Sequence, residues 1–247
     1  MNRRCGKLEH ARLAAEVEAE RRRLKNIVAN VPGVVWEAWG EPDAATQRID
    51  FVSDYVETML GYSVEEWLTT PNFWLSIVHE DDKERAAREA AARFKSGKGG
   101  ASEFRWIARD GQVLWMEARS TVFTDKAGKP TGMLGVTMDI THRKNAEEEL
   151  RKSEERYRDL VENAHDIIYT HDLEGNYLSI NAAAEQITGY TREEALRMNI
   201  TQTVPPEQLE TVRQMIARKL AGERMTAYEL EIVAKDGGTA GRIRRFR

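Results

Sequence analysis

The chain has 247 residues, which is room for one large or two small domains. Its net charge of −4 gives no general attraction to nucleic acids or membranes, and no apolar run approaches the roughly 20 residues that a membrane helix needs. The single cysteine, Cys5, excludes a disulfide framework. We therefore expect a cytoplasmic protein that binds no nucleic acid and does not cross a membrane within this chain.

Residues 1–31 predict an N-terminal helix that could form a coiled coil. Pro32 ends this helix. Two strands are predicted next, Val34–Trp39 and Arg48–Val52, joined as a hairpin by a turn at residues 40–46. One face of Leu8–Val31 carries five apolar residues, namely Leu13, Val17, Leu24, Ile27 and Val31.

Residues 32–140 predict a domain of mixed helices and strands. Ser63 and Glu66 form a capping box that begins a short helix. Acidic residues open a longer helix at Glu80–Lys95. Three strands separated by turns follow, at Ala101–Ala108, Val113–Thr124 and Lys129–Ile140. This order predicts an α+β fold in which helices cover one face of a five-stranded antiparallel sheet.

Residues 141–164 predict a solvated helix that joins two domains. Glutamates placed four residues before arginines or lysines occupy its charged faces, and Thr141 is placed to cap it. One stripe, at alternating steps of four and three, carries Ala146, Leu150, Ser153, Tyr157, Leu160 and Ala164. The stripe predicts a seam that pairs with a second copy of the chain, and a plain spacer helix is the alternative.

The region after this helix repeats the region before it. Leu24–Val31 aligns with Tyr157–Ala164, and Ala101–Gly111 aligns with Ala227–Gly237. A second capping box begins at Thr191, and a long helix is expected at Pro206–Leu220. A repeat of about 130 residues predicts two copies of one domain, the second at residues 165–247.

The second copy is expected to be incomplete. After the turn at Asp236–Gly237 the chain lacks alternating apolar residues, apart from Ile243 and Phe246. About two strands are therefore predicted to be missing or altered, which would expose a sheet edge. This pattern suggests a shortened chain or a shift of reading frame.

The order of elements and motifs resembles the PAS sensor domain with its C-terminal PAC segment, in two tandem copies. Such copies occur in the N-terminal sensory region of bacterial sensor histidine kinases and diguanylate cyclases. The last segment of the first copy is the D-I-T-x-R-K exit at which, in this family, the final strand becomes the output helix. The segments that carry the resemblance are Gly61–Glu66, Phe73–Asp82, Glu103–Trp106 with Asp110–Gly111, and Gly135–Lys144.

No enzymatic motif accompanies these segments. The sequence has no P-loop, no G-x-S-x-G elbow, no C-x-x-C and no H-E-x-x-H. The ATP-binding motifs of histidine kinases and the G-G-D/E-E-F motif of diguanylate cyclases are missing as well. We interpret His79 as part of a helix N-terminus and His142 as a solvated side chain, so no catalytic residue and no metal site is predicted.

The resemblance implies a site for haem, flavin or a small metabolite between the sheet and the helices. The predicted long helices contain no histidine, which argues against haem, and Cys5 lies outside both domains, which argues against a cysteinyl–flavin adduct. A non-covalent flavin or a small metabolite remains, and an ordinary hydrophobic core explains the aromatic residues equally well. Arg105 is expected on the opposite face of the sheet. The candidate walls are Trp36, Trp74, Phe94, Phe104, Trp106, Trp115 and Met138.

The resemblance also implies a sensory module for signal transduction. A ligand or redox cue would pass from the first copy into the linker helix through the relay residues Asp139, Ile140, Thr141 and Arg143. The output domain would lie outside this chain, and we expect a histidine kinase of a two-component system or, alternatively, a diguanylate cyclase. The chain is expected to form a homodimer through residues 8–31 and 141–164. A dimerisation scaffold that binds no ligand is the other alternative.

Overall fold

The structure, a computed structural model, describes residues 2–42, 47–222 and 229–244. The chain divides into two compact units, unit 1 (Met1–Glu147) and unit 2 (Glu148–Arg247). The elements that precede the linker helix are α1 (Asn2–Ala29), β1 (Val34–Trp39), β2 (Arg48–Val52), α2 (Tyr55–Leu60), α3 (Val64–Thr69), α4 (Phe73–Ser76), α5 (Glu80–Ser96), β3 (Gly100–Ile107), β4 (Val113–Thr124) and β5 (Pro130–Asp139). The linker helix is α6 (Thr141–Glu162), which begins in unit 1 and ends in unit 2.

Unit 1 has the predicted fold. Its five strands form one antiparallel sheet in the order β2-β1-β5-β4-β3. Each strand lies within one residue of its predicted bounds at both ends. The predicted turn at residues 40–46 lies partly outside the described residues. Apolar residues of α2, α3, α4 and α5 pack with those of β1, β2, β3 and β4 in a single core, so these helices cover one face of the sheet.

The outer edge of β3 is bonded to the chain segment that leads into α5. The backbone N–H of His79 donates to Arg105 O at 2.9 Å, and that of Ile107 donates to Ile77 O at 2.8 Å. The carboxylate of Asp82 accepts the backbone N–H of Arg105 at 3.0 Å. These bonds use the backbone groups that would otherwise pair with another strand.

Unit 2 contains β6 (Tyr169–His171), β7 (Tyr177–Ile180), α7 (Ala182–Thr188), α8 (Arg192–Ala195), α9 (Leu209–Leu220), β8 (Glu229–Val233) and β9 (Thr239–Arg244). Its four described strands form two antiparallel pairs, β6 with β7 and β8 with β9. The second capping box is confirmed at Thr191 and Glu194. The prediction of one helix from Pro206 is wrong at its start, because Pro206–Gln208 form a 3-10 turn before α9.

The prediction for the last ten residues is confirmed only in part. About two strands were expected to be missing or altered after Gly237, and one of them is present, because β9 pairs with β8 from Thr239 to Arg244, with Ile243 opposite Leu230. No counterpart of β5 follows β9 in the described residues, so the second unit is less complete than the first, as predicted. A backbone ladder needs no alternation of apolar side chains once one partner strand is present. Phe246 lies outside the described residues.

The two long helices leave their apolar residues exposed. On α1, the side chains of Leu13, Val17, Leu24 and Ile27 are between 53% and 55% exposed. No residue of α6 is buried. Thr141 is the first residue of α6 rather than its cap, because its hydroxyl accepts the backbone N–H of Trp115 and the carboxylate of Asp139 accepts the N–H of Thr141. Within the described ranges, no helix has both the length and the hydropathy of a membrane-spanning segment.

Candidate functional site

A cavity of about 70 Å³ lies inside unit 1, between the sheet and helices α3, α4 and α5. The helices contribute Trp67 from α3, Trp74 from α4, and Ala86, Ala90 and Arg93 from α5. The chain between β1 and β2 contributes Pro42 and Gln47. The strands contribute Trp36, Ala38, Ile49, Ser102, Phe104, Trp106, Ala118, Ser120, Met133 and Thr137.

The alternation of the strands places these side chains on one face. Ser102, Phe104 and Trp106 follow one another at steps of two on β3, and Ala118 and Ser120 do so on β4. Ser102 lies directly opposite Ala118 in the β3–β4 register. The shared wall is therefore aromatic at Phe104 and Trp106 of β3, and it is formed by small or polar side chains at Ser102 of β3 and at Ala118 and Ser120 of β4.

Three of the four indole groups at the cavity have a bonded N–H. Trp36 Nε1 donates to Thr137 Oγ1 at 2.9 Å, and Trp74 Nε1 donates to Gln47 Oε1 at 3.1 Å. Trp106 Nε1 donates to the backbone oxygen of Trp74 at 3.0 Å. The fourth, Trp67 Nε1, is buried and has no hydrogen-bond partner among the residues that the structure describes.

Arg93 supplies the charged group at the other end of the cavity. Its Nη2 donates to the backbone oxygen of Ala101 at 2.8 Å and to Glu89 Oε2 at 3.4 Å. The hydroxyl of Ser102 donates to the same Glu89 oxygen at 2.9 Å. Each charge at this end is therefore already matched by a group of opposite charge or by a neutral polar group.

The structure brings four of the seven predicted wall residues to the cavity: Trp36, Trp74, Phe104 and Trp106. The other three do not line it. Phe94 is buried elsewhere in the core. Trp115 lies opposite Arg105 in the β3–β4 register, and Arg105 contacts the Trp115 ring at 5.4 Å, on the face of the sheet that points away from the cavity. The predicted orientation of Arg105 is thus confirmed.

Met138 lies on the same outer face, opposite Glu117 of β4. The prediction for Met138 is wrong, because successive side chains of β5 point to opposite faces of the sheet. Its neighbour Thr137, which is 1% exposed, is the residue that faces the cavity. Two further wall residues of β4, Ala118 and Ser120, were not predicted, because small and polar side chains do not stand out as cofactor walls. Counting in steps of two from the buried Met116 identifies both.

The four predicted relay residues meet where β5 becomes α6. Ile140 is buried, and its backbone N–H donates to Trp115 O at 2.8 Å. The N–H of Trp115 donates to Thr141 Oγ1 at 2.9 Å, and Asp139 Oδ1 accepts the N–H of Thr141 at 2.8 Å. One residue of β4 thus holds the chain on both sides of the junction.

Ion pairs hold the first turn of α6 against the outer face of the sheet. Arg143 Nη2 lies 2.9 Å from Glu103 Oε1 and 3.4 Å from Glu117 Oε2, and Lys144 Nζ lies 2.6 Å from Glu103 Oε2. Hydrogen bonds from Lys144 and Arg143 lower the pKa of Glu103. Lys144 also lies 5.4 Å from the ring centre of Trp115. The start of α6 therefore follows the positions of β3 and β4.

The last turn of α6 is bonded to the rest of unit 2 through Asn181, a fully buried residue that the sequence patterns did not single out. Asn181 Nδ2 donates to Val161 O at 3.0 Å and to Asp166 O at 2.9 Å. Its Oδ1 accepts the backbone N–H groups of Ile168 and Ala184, each at 3.0 Å. The side chain uses both of its donors and both of its acceptor sites.

The same position is polar in both units. In unit 1 the backbone N–H of Val35, the counterpart of Ile168 in the repeat, donates to Ser53 Oγ at 3.0 Å. Aligning the two hairpins of the repeat pairs Ser53, which follows β2, with Asn181, which follows β7. This shared polar position after the second strand is the signal that would have identified Asn181.

The cavity does not fit the larger cofactors that the fold suggests. Pockets for cofactors and drug-sized molecules enclose roughly 300 to 1,000 Å³, and the indole rings of Trp36, Trp67, Trp74 and Trp106 occupy much of the space between sheet and helices. With these side chains in place, the volume of about 70 Å³ is far below that range, so a flavin or a haem would need the indole rings to move. The cavity admits a small metabolite.

Two segments of the chain match protein families, and both families are described as PAS fold. The matches cover residues 49–137 in unit 1 and residues 155–244 in unit 2. The sensor protein FixL of Bradyrhizobium diazoefficiens is 28% identical over 165 residues, covering 66% of this chain and 32% of that protein. The probable diguanylate cyclase DgcE of Escherichia coli is 27% identical over 128 residues, covering 51% of this chain and 12% of that protein.

A solved structure of a sensory box histidine kinase/response regulator from Burkholderia thailandensis is 26% identical, with a TM-score of 0.44. The match covers 56% of this chain and 99% of the chain in that structure. This chain spans about a third of the length of FixL and about an eighth of the length of DgcE.

Proposed function

Because this chain belongs to the PAS family, with one PAS domain in each unit, we propose that unit 1 senses a small molecule in its cavity and passes the signal along α6 to unit 2. A sensory role in signal transduction is supported by the PAS fold of both units and by the likeness to FixL, a sensor protein. The proposal adds the position of the input site and the route that leads from it.

One observation carries this proposal: β4 both lines the cavity and holds the start of α6. Ala118 and Ser120 of β4 face the cavity, while the backbone of Trp115, three residues before Ala118, bonds Ile140 and Thr141. A ligand that displaces β4 relative to β5 strains or relaxes these bonds. The first turn of α6 then changes its direction or its stability.

The output of the route is the finer part of the proposal. The exposed apolar stripes of α1 and α6 support a homodimer through residues 8–31 and 141–164, and the single cysteine fits a cytoplasmic location. We place a histidine kinase after the sensory region in the full protein, outside this chain. The likeness to DgcE supports a diguanylate cyclase as the second candidate.

A scaffold that dimerises without a ligand is a further candidate, and the small size of the cavity favours it. A sensor and a scaffold differ in what a cavity-filling substitution does. Ala118→Leu adds three carbon atoms to the wall, whereas Ala101→Leu makes the same change at an exposed residue of the neighbouring strand.

The test begins with a screen of small metabolites for compounds that raise the melting temperature of the 247-residue chain. Tryptophan fluorescence reports unit 1 alone, because all six tryptophans lie between Trp36 and Trp115. Compounds that raise the melting temperature are then tested for a change in amide hydrogen exchange at residues 141–147. We expect Ala118→Leu to abolish both responses and Ala101→Leu to keep both.

Asp139→Ala separates binding from relay. It removes the acceptor of the Thr141 N–H without touching the cavity, so the rise in melting temperature should persist while the exchange response at α6 is lost. If no compound changes exchange at α6, or if Ala118→Leu keeps the full response, the scaffold replaces the sensor.

A further inference from the structure

We propose that the cavity of unit 1 binds an uncharged carbonyl compound of three or four non-hydrogen atoms, whose oxygen accepts a hydrogen bond from Trp67 Nε1–H. This inference rests on the proposed sensory role of the same cavity and specifies the chemistry of its ligand.

The first argument is the unpaired N–H of Trp67. The residue is 2% exposed, it lines the cavity, and its Nε1 has no partner among residues 2–42, 47–222 and 229–244. The other three indoles at the cavity each donate to a protein oxygen. Buried donors in native proteins are nearly always paired. An acceptor supplied by a bound molecule satisfies this one.

The second argument is size. A cavity of ~150 Å³ holds benzene, which has six non-hydrogen atoms. At about 70 Å³, the cavity of unit 1 has room for about half that number. Aromatic ligands and long chains are therefore excluded while the tryptophans keep their places.

The third argument is charge. The ring of Trp67 packs against those of Phe73 and Trp106, at centroid distances of 5.2 and 5.4 Å. A carboxylate bound there would be buried without a cation, which is costly. Arg93, the one charged residue among the described wall residues, is already paired with Glu89. An uncharged oxygen fits the Trp67 N–H without this cost.

Three molecules of one shape test the inference: acetone, acetate and isobutene. Acetone has the uncharged acceptor, acetate adds a charge, and isobutene has no oxygen. The full chain labelled with ¹⁵N gives six indole N–H signals, one for each tryptophan. Trp67→Phe identifies the Trp67 signal by its loss. If that variant does not fold, contacts between the Trp67 and Phe73 rings assign the signal in the unchanged protein.

We expect acetone to shift the Trp67 signal in a saturable manner, and acetate and isobutene to leave it in place. Trp67→Phe should bind acetone at least tenfold more weakly and lose its preference for acetone over isobutene. Trp39→Phe is the matched control, because Trp39 does not line the cavity and the N–H that the change removes is bonded to Glu37. It should keep the preference.

Two results would overturn the inference. A saturable shift by acetate as large as that by acetone would make the cavity an anion site. A Trp67 signal that exchanges magnetisation with water and ignores acetone would show an internal water in a closed core. Failure of the sensory route looks different, because acetone would then shift Trp67 and leave hydrogen exchange at residues 141–147 unchanged.

Discussion

The backbone N–H of Trp115 donates to the hydroxyl oxygen of Thr141 at 2.9 Å, so the strand that walls the cavity is bonded to the first residue of α6. A side-chain oxygen replaces the backbone acceptor that a longer β5 would have supplied. The hydrogen bonds between β4 and the chain that follows β5 thus extend to Thr141, the first residue of α6. This hydrogen bond adds to the Ile140 bond and to the ion pairs of Arg143 and Lys144 that hold the start of α6 on the sheet.

Thr141→Val removes that acceptor and keeps the shape of the side chain. The half-buried N–H of Trp115 loses its partner, so the free energy of unfolding of unit 1 should fall by about 1 kcal/mol. Equilibrium urea unfolding followed by tryptophan fluorescence measures this loss. Thr121→Val is the control, because the hydroxyl of Thr121 is exposed and contacts Leu134 O only at 3.4 Å. Equal losses in the two variants would contradict the special role of Thr141.

Asp82 makes the stability of unit 1 depend on pH. Burial of Asp82 raises its pKa, but hydrogen bonds from Arg105 and Arg85 outweigh this and leave the pKa at about 2. Arg105 Nε donates at 2.8 Å and Arg85 Nη2 at 3.0 Å. Since the folded pKa is below the unfolded value of ~3.9, the stabilisation is fully present above about pH 4. It is lost as the pH falls toward 2.

The expected loss from Asp82 is about 2 kcal/mol between pH 5 and pH 2. Urea midpoints at several pH values, followed by tryptophan fluorescence, give the total loss for the protein. Asp82→Asn should reduce this total loss of stability between pH 5 and pH 2 by about 2 kcal/mol, the contribution of Asp82. Asp81→Asn, which removes an exposed carboxylate that also contacts Arg105, should leave the total nearly unchanged. The assignment fails if the two variants respond alike.

The stripe on α6 predicts a dimer that one substitution breaks. The side chains of Leu150, Tyr157 and Leu160 are between 61% and 70% exposed in the single chain. Sedimentation should show a concentration-dependent dimer for the unchanged protein and a monomer for Leu160→Lys. Asp159→Lys places the same side chain off the stripe and should keep the dimer. Monomers at every concentration of the unchanged protein would leave α6 as a plain spacer.

Asn181 should be essential for the fold of unit 2. Asn181→Ala removes four side-chain hydrogen bonds and leaves the Ile168 N–H and the Asp166 carbonyl without that partner, while the Ala184 N–H keeps its bond to the backbone oxygen of residue 181. Unit 2 should therefore lose about 3 kcal/mol. Because unit 2 has no tryptophan, hydrogen exchange of peptides from residues 165–222 is the suitable measurement. Asn163→Ala, which removes one exposed bond to Asp159, is the control and should change little. Normal protection in Asn181→Ala would show that another group takes over these bonds.

Local patterns were sufficient to predict most of the fold. Alternation and turn residues predicted the strands of unit 1, and the two capping boxes occur at Ser63 and Thr191 as expected. The internal repeat of about 130 residues predicted that the chain divides into two units of one fold. The 3-10 turn at Pro206–Gln208 was missed because proline at a helix start fits both kinds of helix.

The candidate site was harder to predict because it depends on which face of the sheet each strand residue points to. Aromatic residues are candidates for a cofactor wall wherever they fall, so Trp115 and Met138 were assigned to the cavity although strand phase places them on the outer face. Trp67 was passed over because a tryptophan on a short helix gives no local sign of its lack of a partner. Its missing hydrogen bond follows only from the packing of α3 against β3.

Residues 151–160 of α6 are all exposed, so solvent surrounds the middle of the helix on every side. Surface ion pairs such as Arg151 with Glu148 add little, and salt weakens them. Packing supplies most of the stability of helices in proteins, and α6, with 22 residues and none of them buried, gains little from it in the single chain. The two ends are held by the two units, and the middle is then the segment that melts first. Ionic strength and a pairing partner can therefore change the fraction of time for which the middle of α6 is helical, as well as the direction of the helix.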